Sequence, residues 1–451
     1  MHLGDELFVA PRMAEIWSGA AFVRAMLAFE AALARAEAAA HVIPPDAAAA
    51  ISAACSVASF DAPAIFHEAA IAGTPAIPLV RLLTERVAGE HGAYVHWGAT
   101  SQDVVDTALV LQMRAGLDGL VQRLIDIGTV CASLAERHRR TLMAGRTLLQ
   151  QALPIPFGLK AARWLALSTR QARHLAELRA RISVVQFGGA AGTLAALGPD
   201  GTRVTELIAA ELGLAVPDLP WHTERDRVAE VAAGVGVLAG AMAKIAGDLV
   251  LLAQTEIGEV AEARVPGKGG SSSLPQKHNP VDAVMALAAA RLAIGGVPVM
   301  LVSMIQEHER AAGGWQTEWE ALPSLFCFTS GAVERVHAAL AGLDVDAERM
   351  RANLDISGGL IMAESLTMAL AAHVGKPQAQ QIAREAVARA TSTSVTLQQA
   401  ALDDERVRTI LAPDALARVL DPAAYLGSSD VFIDRALKDF HILQTQGIPH
   451  D

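Results

Sequence analysis

The chain has 451 residues, of which 52% are hydrophobic, 19% charged and only 4% aromatic, and its formal charge is −11. That length holds about two to four domains with ample core, and the balance excludes a disordered chain and a protein that grips nucleic acid through a basic face. Three dispersed cysteines, Cys55, Cys131 and Cys327, exclude a disulfide scaffold and a structural zinc site, and fit a reducing cytoplasm.

Alanine and leucine supply most of the apolar content, which predicts an all-α fold. The opening MHLGDELFVAPRM lacks a basic segment followed by an apolar run, so no signal peptide is expected. Residues 1–99 read as a domain of short helices. Ser18 caps one that runs to Ala40 and stops at Pro44-Pro45. Asp61 caps another, and a third runs from Ile77 to Glu90.

Residues 100–354 read as a central bundle of five long helices. The first runs from Thr100 to about Met143, the second from Pro154 to about Val185, and the third from Thr223 to about Arg264. The fourth starts after Pro280, and the fifth spans Trp315 to about Leu340. No strand is expected. The run from Ala283 to Ile305 is long enough to span a membrane, but Arg291, Gly295, Gly296 and Pro298 interrupt it. It reads instead as a helix buried in a large bundle, and helices this apolar imply that several subunits pack together. Residues 355–451 return to short helices.

Residues 267–280, GKGGSSSLPQKHNP, form a Gly/Ser loop that ends where a helix begins. Lys277, Asn279 and that helix N-terminus make a place to stabilise an oxyanion. The segment resembles the GSSxMPxKxNP loop of the fumarase/aspartase superfamily, with Leu274 where Met is usual. The resemblance implies that Ser271 is the general base and that Lys277 and Asn279 hold an enolised carboxylate. A second block, VHWGATSQDVVDTAL from Val95 to Leu109, resembles the family's HxGxTSxD region. It makes His96 a catalytic candidate, with Thr100 and Ser101 at a helix start suited to a substrate carboxylate. Taken alone, these would be an ordinary histidine and an ordinary N-cap.

A third block, GRTLLQQALPIPFGLK from Gly145 to Lys160, resembles the family's GRTHxxxAxP region. Leu148 stands where the superfamily's adenylosuccinate and argininosuccinate lyases carry a histidine acting as general acid. An amine must be protonated as it departs, whereas the carboxylate of an acid with pKa about 4 needs no proton. The change therefore points to a carbon–carboxylate bond, as in lactonisation. WHTERDR (221–227), QEHERAAGGWQTEWE (306–320) and LDPAAYLG (420–427) resemble the bacterial 3-carboxy-cis,cis-muconate cycloisomerases.

That resemblance implies closure of a small tricarboxylate, 3-carboxy-cis,cis-muconate, to 4-carboxymuconolactone in protocatechuate breakdown by the β-ketoadipate route. It implies no cofactor and no metal, no nucleic-acid or membrane partner, a cytoplasmic location, and a homotetramer whose active sites each draw on three subunits. Thr100, Ser101, Gln150, His222 and Arg310 form the candidate substrate-binding set. Arg310 reads equally as a solvated helix-end arginine. An adenylosuccinate-cleaving lyase with His96 as acid is the alternative within the superfamily. A non-catalytic paralogue is the alternative outside it, against which Ser271, Lys277 and Asn279 weigh.

Overall fold

The computed structural model describes residues 5–56, 60–87, 89–270 and 273–446. Helix α1 (Gly19–Ala39) begins at Ser18, whose hydroxyl accepts the Ala21 N–H at 3.1 Å. Its buried face is apolar except for Glu30 and Glu37, seven residues apart. Five long helices follow: α2 (Ser101–Arg137), α3 (Phe157–Ile182), α4 (Asp226–Leu252), α5 (Val281–Val302) and α6 (Gly314–Ala341). Helix α2 packs on α3, α4 on α5, and α5 on α6, while α4 also touches α3 and α6. At the far end of α2 the chain crosses closely over the start of α3. A Cβ at Gly158 would lie 2.5 Å from the Ala135 carbonyl oxygen, so no larger residue fits there.

The all-α class stands, but strands occur where none was expected. Helix α2 ends at Arg137 instead of continuing to Met143. Residues Leu142–Thr147 (β1) then pair antiparallel with Gln150–Pro156 (β2). Pro154 and Pro156, read as opening a helix, lie in this two-stranded edge, where a missing N–H is tolerated. The connecting residues Leu148 and Leu149 both take positive φ, 50° and 64°. Such a turn normally carries Asn-Gly, so the sequence holds no signal for it. Helix α4 likewise stops at Leu252, short of Arg264. Val260–Ala261 (β3) pairs instead with Asp344–Val345 (β4).

One apolar core joins the N-terminal helices, the five long helices and the last helix α7 (Ser429–Gln446), which returns to it through Ile433, Phe440 and Leu443. A second core, built on Leu354, Leu366, Ile382, Leu397 and Leu416, also takes in Ala144 of β1. The hairpin is therefore rooted on the C-terminal helices.

Helix α5 is inverted relative to an ordinary surface helix. It turns Ala283, Ala286, Ala289, Ala290 and Ala293 toward its own core, and leaves Leu292, Ile294, Val299, Leu301 and Val302 exposed. Among the described residues, α4 and α5 are long and apolar enough to cross a membrane, as is the bent pair Ala347–Asp355 and Leu360–Val374 taken together.

Candidate active site

Asp103, fully buried in the first turn of α2, organises one end of the molecule. Each of its oxygens accepts two hydrogen bonds. Oδ1 receives the Gly188 N–H at 2.9 Å and His222 Nε2 at 2.8 Å. Oδ2 receives the Gly189 N–H and the Thr100 N–H, both at 3.0 Å. Gly189 has φ 67°, and a Cβ on it would lie 3.1 Å from the Gly98 carbonyl oxygen, so this approach of two chain segments depends on glycine.

Thr100 Oγ1 accepts a bond from Arg310 Nη1 at 2.9 Å, and Arg310 Nη2 donates to the Ala190 carbonyl at 3.1 Å. The arginine thus docks on the corner rather than standing free at a helix end. Ser101 lies half-buried as the first residue of α2.

His96 faces the same region from the preceding segment. Its Nδ1 lies 2.6 Å from Oε1 of the buried Glu30. Burial works against the charged ring, but Glu30 and, more weakly, Asp103 outweigh it, so the His96 pKa is raised above 6.5. His222, a candidate for substrate binding, sits on the same corner. Its side chain is 4% exposed, its Nε2 is committed to Asp103, and its carbonyl accepts from Gln102 Nε2 at 2.7 Å. It braces the corner instead of offering that nitrogen to a ligand. Beneath lies a buried cluster in which Arg225 pairs with both Asp106 and Glu318, and Trp315 Nε1 donates to Asp106.

The other candidates sit at the opposite end. Ser271 lies outside the described residues. Lys277 is exposed, and the N–H and Nδ2 of Asn279 both donate to the Gly269 carbonyl, at 2.9 and 3.2 Å, closing the neck of the loop. The N-terminus of α5, expected to be open to an oxyanion, is capped from within. Buried Glu262 accepts the Asp282 and Ala283 N–H groups at 3.1 and 2.8 Å. Lys268 bridges Glu262 and Asp282 and ties the loop down.

On the hairpin, Leu148 is 97% exposed and Gln150 opens β2 on the surface. Its base is clamped where Arg146 makes a two-bond pair with fully buried Glu259, at 2.9 and 2.7 Å, and Asn353 donates to the same carboxylate. Among the described residues, no group of three His, Cys, Asp or Glu side chains could hold a metal.

Helix α5, 22 residues or roughly 33 Å long, separates Lys277 and Asn279 from Arg310. Helix α2, 37 residues or about 55 Å, separates Thr100 from the hairpin. One chain therefore does not bring the three blocks together.

Sequence reasoning gave no site role to Glu30, Asp103, Glu259 or Glu262. Two of them left a trace. Asp103 closes a capping-box spacing with Thr100, and Glu30 interrupts an apolar helix face.

Comparison with known proteins extends these observations. Residues 8–295 match the family model described as Lyase, and residues 359–436 match one described as Adenylosuccinate lyase C-terminus. A 3-carboxy-cis,cis-muconate cycloisomerase of Pseudomonas aeruginosa is 46% identical over 98% of this chain and 97% of its own length. One from Bradyrhizobium diazoefficiens is 48% identical over 91% of this chain and 92% of its own. The crystal structure of 3-carboxy-cis,cis-muconate lactonizing enzyme from Pseudomonas putida superposes with a TM-score of 0.92 at 42% identity, covering 98% of this chain and all of that one.

Proposed function

The chain belongs to the fumarase/aspartase superfamily of lyases, and on that premise we propose that it closes 3-carboxy-cis,cis-muconate to 4-carboxymuconolactone. The observation that carries this reading is the hairpin tip. Where amine-eliminating members of the superfamily place a proton donor, this chain presents Leu148 and Leu149, two exposed aliphatic side chains on a strained turn. An apolar tip suits a reaction in which the group being joined is a carboxylate that neither gives nor takes a proton.

The chemistry balances with one proton. A carboxylate oxygen forms a bond to an alkene carbon, and the π electrons move to the carbon beside a second carboxylate. That carbon then takes up a proton, so a trianion plus H⁺ becomes a lactone dianion. Arg310, Thr100 and His96 bind carboxylates at the α2 end. Lys277 and the second Nδ2 proton of Asn279 stabilise the enolate-like charge, with no help from the capped Asp282 and Ala283 N–H groups. Ser271 delivers the proton.

These blocks meet between copies of the chain in a cytoplasmic homotetramer. The separation along α2 and α5 supports that arrangement, and so does the aliphatic outer face of α5, which is too extensive for a free surface.

The test is to follow the diene ultraviolet absorbance of carboxymuconate and, in parallel, cleavage of adenylosuccinate. Loss of the diene with adenylosuccinate left intact is the expected result. Efficient adenylosuccinate cleavage would overturn the reading and make His96 the acid.

A further inference from the structure

Glu30 is a buried carboxylate for which the reaction above has no use. Its side chain is fully enclosed, Oε1 meets His96 Nδ1 at 2.6 Å, and Oε2 is buried with no hydrogen-bond partner among the described residues. His96 holds φ at 58°, a left-handed conformation uncommon outside glycine. A carboxylate can only accept, so Nδ1 carries the hydrogen. Among the described residues Nε2 makes no hydrogen bond, and it is not among the buried orphaned atoms, which leaves it to the exposed 15% of the side chain.

We infer that Glu30 is a positioning residue, which holds Nδ1–H of His96 so that Nε2–H serves as a cationic donor to a carboxylate of the bound substrate. The inference rests on the α2 end being a carboxylate-binding corner. It assigns His96 to binding rather than to proton transfer.

The charges facing His96 come from several elements. Glu30 reaches it from α1. Asp103 acts from α2, with its oxygens already bonded to Thr100, Gly188, Gly189 and His222. Arg310, from the segment before α6, is tied to the same corner through Thr100 and Ala190. Two turns along α1, Glu37 is kept protonated by burial, with a pKa raised to about 9, and adds no charge at neutral pH.

The sign of the pH effect follows. Burial alone would push the imidazolium to lower pKa, and Glu30 reverses that. The donor form therefore persists to higher pH than in a free imidazole, and is lost as pH rises through the raised value. Glu30→Gln keeps an acceptor for Nδ1–H but removes the charge, so the titration falls.

The experiment uses the full-length assembled enzyme, labelled with ¹⁵N-histidine, with His96→Asn to assign the signal. Both ring nitrogens of His96 are expected to stay protonated to a higher pH in the wild type than in Glu30→Gln, whose titration should move down. With carboxymuconate, KM of Glu30→Gln should rise about tenfold at a pH between the two measured titrations, the worth of one charge-assisted hydrogen bond. It should return close to wild type at a pH below both, with kcat changing less than KM.

Glu30→Asp keeps the charge with a shorter reach. It should raise KM at every pH and leave the alkaline limb in place, which provides a second variant if Glu30→Gln does not assemble. An unshifted His96 titration, or a KM defect equal at both pH values, would overturn the proposal. If carboxymuconate is not a substrate, the proposed function fails by itself, and the ¹⁵N titration still decides the role of Glu30.

Discussion

Two side chains make the residue scale testable. Among the described residues, neither carboxylate oxygen of Glu37 has a hydrogen-bond partner. Burial, aided by the charge of Glu30, lifts its pKa from 4.5 to about 9. Between those values the folded chain keeps a proton that the unfolded chain releases, so stability falls as pH rises through that window. Glu37→Gln removes the penalty. It should stabilise the fold at pH 8 by roughly 2–4 kcal/mol and far less at pH 5. Thermal melts at the two pH values check this, and an equal shift at both would contradict it.

Lys277→Ala should lower kcat by about 10²–10³-fold, the cost of one oxyanion donor, with no change in melting temperature because the side chain is exposed. Lys277 and Asn279 were singled out on the loop because their types and spacing suit that chemistry. Glu30 was not legible as a partner of His96, since 66 positions separate them and only packing brings them together.

At the scale of elements, the long helices were readable from apolar length and caps, and their boundaries failed where strands intervened. A two-leucine turn has no Gly or Asn to announce it, and Pro154-Ile155-Pro156 imitates a helix start. The fate of the α5 N-terminus was equally hidden, because its cap comes from a carboxylate twenty positions upstream. Glu262→Gln keeps an acceptor but loses the charge against the helix dipole and the Lys268 pair. It should lower stability by about 1–2 kcal/mol and loosen the anchored neck of the loop. Hydrogen exchange at Asp282 and Ala283 should speed up in step. Unchanged exchange there would show that Glu262 does not hold the helix end.

For the whole molecule the question is what covers α5. The helix spends its alanines inward and its large aliphatics outward, the reverse of what a monomer in water favours. Leu301→Glu should therefore split the assembly without unfolding the chain, because Leu301 lies outside the core of its own chain. Light scattering should report a mass near four times 47.2 kDa for the wild type and a smaller species for the variant. The distances along α2 and α5 then make a sharper claim. A single chain holds Thr100 at one end of the long helices and Lys277 and Asn279 at the other, so the proposed site needs its loop from another copy. A Thr100→Ala tetramer and a Ser271→Ala tetramer should each be close to inactive. After reversible dissociation and mixing, some sites will join an intact Thr100 corner to an intact loop, and a fraction of wild-type activity should return. Subunit exchange confirmed by mass labelling, with no activity regained, would show that each chain works alone.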